Sequence, residues 1–190
     1  MTIIFDTDIA SMFAKAKSLN ILFDLLSESK LSITPKNKDE LLIPLEYGYS
    51  YPEDIFKKFD LIIPDKNDYT EYERLKALYP YLGKGELEAL AIVKTKKCIL
   101  AVNDRKAFEV ACKEGITPIN VLTILKTLLK KKILNKEEMS IPKRCIKRSQ
   151  VRCKSSAKQQ DLIIIHMNAD STKSVFYKKA GWPRLRAVRC

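Results

Sequence analysis

Residues 85–104 read GELEALAIVKTKKCILAVND. From Gly85 to about Lys96 the apolar positions cover most of a helical surface, so the predicted helix is buried on more than one side. Cys98–Val102 follows as a short apolar run of strand character and leads into Asn103-Asp104. A buried helix feeding a buried strand is half of a βαβ unit, in which a parallel sheet lies beneath helices.

The same alternation runs back to the N-terminus. Thr2–Phe5 is a strand ending at Asp6, and residues 11–28 repeat apolar side chains at helical spacing, from Met12 to Leu26. Leu31–Thr34 is a second strand, closed by Pro35. Lys38–Leu45 is a helix, and Pro52 opens another that carries Ile55, Phe56 and Phe59. Leu61–Pro64 is a third strand, and Tyr69–Tyr79 is helical. Beyond the opening stretch come a helix Arg105–Glu114 capped by Gly115, a fifth strand Ile116–Ile119, and a helix Val121–Leu134. The expected fold is one α/β domain over residues 1–140 with a mostly parallel sheet.

The chain has 190 residues and a net charge of +12, but the charge is unevenly placed. Residues 141–190 hold 13 Lys and Arg against Asp161 and Asp170, leaving 22 basic and 21 acidic residues before them. That last segment has no defensible period and reads as a basic tail, either disordered or non-native. Its Tyr177-Lys178-Lys179-Ala180-Gly181 resembles a translated cloning linker. No apolar run is long enough to span a membrane, and Met1–Asp6, without a basic stretch leading into a long apolar segment, is not expected to open a signal peptide. The five cysteines, without a CxxC, read as reduced thiols, and the expected location is cytoplasmic.

In an open parallel sheet, ligands gather at the carboxyl ends of the strands. Asp6 and Asp104 stand at two such ends, Glu86 opens the helix before the fourth strand, and Glu40 follows the second. Carboxylates converging on one crevice repel unless a cation neutralises them. Oxygen ligands without nearby His or Cys select Mg²⁺ or Mn²⁺, which activate water and stabilise charge on a phosphate. The only histidine, His166, lies in the tail, so His-based triads and His-rich zinc sites are nearly excluded, and there is no phosphate-binding glycine loop. Each acid also has a plain structural reading: Asp104 as an N-cap, Glu86 as a first-turn acid, Glu40 as a surface charge.

These residues resemble the PIN domain family of metal-dependent ribonucleases, which includes the VapC-type toxins. Ile3-Ile4-Phe5-Asp6-Thr7-Asp8 is similar to the family's opening strand and first acid, and Ile33-Thr34-Pro35 with Glu40-Leu41 to the segment bearing the second. Leu82-Gly83-Lys84-Gly85-Glu86-Leu87-Glu88-Ala89 resembles its GE-x-x-A helix with the third, and Val102-Asn103-Asp104-Arg105-Lys106-Ala107 the segment with the fourth. The resemblance implies a three-layer sandwich in which Asp6, Glu86 and Asp104 bind one or two Mg²⁺ or Mn²⁺ ions and Glu40 completes a catalytic set of four. Asp39 and Glu46 are rivals for Glu40, Asn103 stands where many relatives have another acid, and Asp8 and Glu88 are read as surface residues. It further implies hydrolysis of single-stranded RNA, an antitoxin protein that blocks the crevice, and a homodimer.

Two alternatives stay open on the residues. Asp6-Thr7-Asp8 after a strand fits the opening of a haloacid-dehalogenase-type phosphatase, and a crevice degenerate at Asn103 fits an RNA-binding module without turnover. Tyr47, Tyr49 and Tyr51 read as packing a loop rather than stacking on bases. Lys94, Lys96 and Lys97 read as a solvated helix end.

Overall fold

The computed structural model describes residues 1–131 and 133; the expected basic tail 141–190 lies outside them. Four strands, β1 (Thr2–Phe5), β2 (Lys30–Ile33), β3 (Asp60–Leu61) and β4 (Ile99–Ala101), pair in the order β3-β2-β1-β4, all parallel. The period of two along β1 divides the core. Ile3 and Phe5 face one apolar cluster and Ile4 the other, while Leu100 parts from Ile99 and Ala101 in the same way. The first cluster takes in α1 (Thr7–Lys15), α2 (Leu19–Leu25), α4 (Tyr51–Lys58) and α8 (Val121–Lys130), with Leu41 of α3 (Pro35–Glu46). The second is built by α5 (Lys66–Leu78), α6 (Lys84–Lys96) and α7 (Arg105–Lys113). This is the three-layer α/β sandwich with a parallel sheet that the sequence led us to expect.

Three elements differ. The single helix expected over 11–28 is two, because the chain turns at Lys17 with φ +52°. Lys17 N–H donates to Ala14 O and Ser18 N–H to Phe13 O, both at 2.9 Å, the pair of bonds that closes a helix C-terminus through a left-handed residue. Glycine adopts that conformation without crowding a Cβ against the backbone carbonyl, so Lys17→Gly is expected to raise Tm by a few degrees in a thermal melt. The third strand is only Asp60–Leu61, at the sheet edge. The fifth is reduced to one parallel bridge, Ala101 to Ile119. Gly115, at φ +77°, ends α7 as anticipated.

One other expectation is corrected. Tyr47 and Tyr49 are 79% and 61% exposed; of the three tyrosines only Tyr51 packs against the core, with Lys15 Nζ 4.6 Å from its ring centre. Cys98 is a free thiol whose burial pushes its pKa up.

Nor is the end of α6 merely solvated. Lys94 pairs with Glu71 and Glu114, and Lys96 with Asp65 and Asp68, so these lysines clamp α6 to α5 and α7. Glu114 accepts from Lys94, Tyr79 Oη and Arg74, which hold its pKa down to about 2 against the opposing effect of burial. Because the folded pKa is depressed, this stabilisation is complete above the ordinary carboxylate range and is lost as pH falls towards about 2. Tm is expected to fall steeply between pH 5 and 2.5, and Glu114→Gln to flatten that slope; an unchanged slope in the variant would remove Glu114 from the account.

Candidate functional site

Asp6 terminates β1 at the point where β4 lies on one side and β2 on the other, and its N–H donates to Ala101 O at 2.9 Å. This is the switch point of the sheet. Its backbone is extended (φ −71°, ψ 152°) and it precedes α1 as N-cap, yet its carboxylate makes no capping hydrogen bond. An acid 5% exposed that does not cap its helix has a costly position. Its pKa is raised well above the ordinary value, first by burial and then by the charges of Asp8, Glu86 and Glu40, with the Thr7 backbone N–H opposing.

Glu86 is half-buried in the first turn of α6 and accepts the N–H of the N-cap Gly83 at 2.8 Å, the side-chain-to-N-cap half of a capping box. Burial raises its pKa, and Asp104, Glu40 and Asp8 push in the same direction while the Gly83 bond opposes them. Asp104 is the N-cap of α7, its Oδ1 accepting Lys106 N–H at 2.7 Å and Ala107 N–H at 2.9 Å. Glu40, exposed on α3, accepts from Thr7 Oγ1 at 2.7 Å. The four acids thus come from four separate segments and act on one another electrostatically around Asp6 and Glu86. Asp39 and Glu46 are among neither acid's principal influences.

The donor chemistry fits a hard divalent cation: oxygen ligands only, in mutual repulsion. Two buried acceptors beside them, Asn37 Oδ1 and Asn103 Oδ1, have no hydrogen-bond partner. Among the described residues no three His, Cys, Asp or Glu side chains are set to enclose one ion, and one oxygen each of Glu86 and Asp104 is engaged by backbone N–H groups.

Some participants escape a reading of the sequence. Glu88, taken as a surface acid, is buried; it accepts Lys36 N–H at 2.8 Å and so caps α3 from a neighbouring helix. Asp8 is exposed as expected. Asn37 is fully buried and donates through Nδ2 to Phe5 O at 2.9 Å, immediately before Asp6. The available signal was its spacing, one helical turn ahead of Glu40.

The plain and chemical readings of Asp104 can be separated. Asparagine caps about as well as aspartate, so Asp104→Asn is expected to leave Tm unchanged while removing the charge. Asp104→Ala is expected to cost about 1 kcal/mol, seen as a lower midpoint in denaturant.

A family model described as PIN domain matches residues 2–163 of the chain. Among solved structures, the chain is similar to VapBC2 from Rickettsia felis bound to a DNA fragment from their promoter. That match has 16% identity and a TM-score of 0.52, over 63% of this chain and 98% of the other, and shows likeness of fold. No curated protein matches.

Proposed function

The chain belongs to the PIN domain family, and we propose that it is a metal-dependent endoribonuclease hydrolysing phosphodiester bonds of single-stranded RNA. What supports this reading is the buried Asp6 at the end of β1, on which the charges of Glu86 and Glu40 act, with Asp104, just after β4, acting in turn on Glu86. Asp6, Glu86 and Asp104 would hold one or two Mg²⁺ or Mn²⁺ ions, and Glu40, fixed by Thr7, completes the set. Such an ion, when bound, lowers the pKa of water and neutralises charge developing on a phosphate. The protein's own part is to hold the acids in register with one another on the rigid ends of strands and helices.

The resemblance to VapC-type toxins, together with the fold shared with VapBC2, supports an antitoxin protein and a second copy of the chain as partners. Among the described residues no helix is long and apolar enough to cross a membrane.

The test is incubation of the full chain with end-labelled single-stranded RNA in Mg²⁺, Mn²⁺ or EDTA. Internal cleavage that needs the metal and falls on the order of 100-fold in Asp104→Asn is the expected result. An acyl-phosphate trapped on Asp6 without RNA cleavage would establish the phosphatase instead. RNA affinity without turnover would establish a binding module.

A further inference from the structure

Asn37 touches the immediate neighbourhood of three of the four acids. On α3 it stands one turn before Glu40; its Nδ2 donates to Phe5 O, the residue before Asp6; and its Oδ1 is directed at Gly85, the residue before Glu86. A Cβ placed on Gly85 would lie 2.4 Å from Asn37 Oδ1 and 2.7 Å from Glu40 Oε1. The backbone of α6 therefore comes against α3 at the only kind of residue that leaves room for both oxygens. The side chain is fully buried, its position in the helix is fixed by its own N–H donating to Thr34 Oγ1 at 3.3 Å, and its Oδ1 has no hydrogen-bond partner. A buried asparagine ordinarily satisfies both ends of its amide. Here the donor end is used to tie α3 to β1, and the acceptor end is held unpaired against α6.

We propose that Asn37 is the positioning residue of the acidic crevice, joining β1, α3 and the first turn of α6 so that Asp6, Glu40 and Glu86 keep one mutual arrangement. This deepens the nuclease reading and rests on it for its functional consequence. Asn37 itself is kept from solvent and touches no substrate. Its unpaired Oδ1 marks the place where α3 and α6 meet too closely for any side chain at position 85, and the hydrogen bond to Phe5 O sets where β1 ends relative to both helices. Removing the amide would leave each acid in place on its own element but free the three elements to shift relative to one another.

The test uses the full chain and two readouts. The first is Mn²⁺ affinity followed by electron paramagnetic resonance, in wild type, Asn37→Ala and Asn37→Asp. At a temperature where circular dichroism shows all three folded, both variants are expected to bind Mn²⁺ at least tenfold more weakly. Wild-type affinity in folded Asn37→Ala would overturn the positioning role while leaving the nuclease reading intact. The second readout needs no metal: the thermal stabilities of Asn37→Ala, Gly85→Ala and the double variant. If Oδ1 is what excludes a side chain at 85, Gly85→Ala lowers Tm in the wild-type background and does so much less in Asn37→Ala. Strict additivity would overturn the contact. A wild-type chain that binds no Mn²⁺ and cleaves no RNA would instead overturn the nuclease reading, and the stability cycle would then decide the structural junction alone.

Discussion

Asp6→Asn is expected to lower RNA cleavage by at least on the order of 100-fold and, in the absence of metal, to raise rather than lower Tm. Both effects come from one location. Asp6 is 5% exposed at the end of β1 and surrounded by Asp8, Glu86 and Glu40, so burial and repulsion both oppose its charge. The folded pKa lies above the unfolded one. The folded state therefore holds its proton to higher pH, and ionisation costs stability as pH rises through the folded pKa. An uncharged amide of the same shape removes that cost at neutral pH but supplies no charge to a cation. A melt in EDTA at pH 7.5, beside a cleavage assay in Mn²⁺, separates the two effects. A buried acid that served only the fold would give the opposite pattern, with Tm falling and activity following it.

Phe5→Ala has the largest expected effect on stability. The ring is fully buried in the first core cluster and meets Phe59 edge-on, with centroids 5.4 Å apart at 72°, while Phe59 meets Phe23 in the same manner. Removing it eliminates the buried ring and leaves a cavity beneath α1 and α4, for a loss of about 3–5 kcal/mol. Native stabilities are about 5–15 kcal/mol in all, so the variant is expected to melt about 10–20 °C lower. Phe5 also carries the carbonyl that Asn37 holds and precedes Asp6, so cleavage should weaken even where the variant is still folded. A shift of only a few degrees would mean that the site collapses around the smaller side chain.

The sheet and most helices were legible because apolar period carries them: β1 alternates between two clusters, and α6, apolar on most sides, is covered on most sides. What escaped has a local cause in each case. The break at Lys17 is a backbone conformation that lysine does not announce, and residues 11–28 keep their apolar spacing across it. Ile116–Ile119 has strand composition, but only Ile119 reaches the sheet. Of the site, Asp6, Glu86 and Asp104 could be placed because each sits at a strand end or in the first turn of a helix. Each also has a neighbour among the acids, Asp6 with Glu86 and Glu86 with Asp104, though Glu86 and Asp104 also serve as caps. Glu88 and Asn37 could not be placed, because their partners, Lys36 N–H and Phe5 O, are 52 and 32 residues away. Long-range side-chain bonds to backbone leave no period in a sequence.

The most direct measurement is Mn²⁺ binding to the full chain by electron paramagnetic resonance, in wild type and Asp6→Asn, with Mg²⁺ as competitor. Saturable binding that Mg²⁺ displaces, and that weakens at least tenfold in Asp6→Asn, is the expected result. Binding of equal strength in both chains would place the cation elsewhere and contradict the carboxylate crevice as the centre of the protein's chemistry.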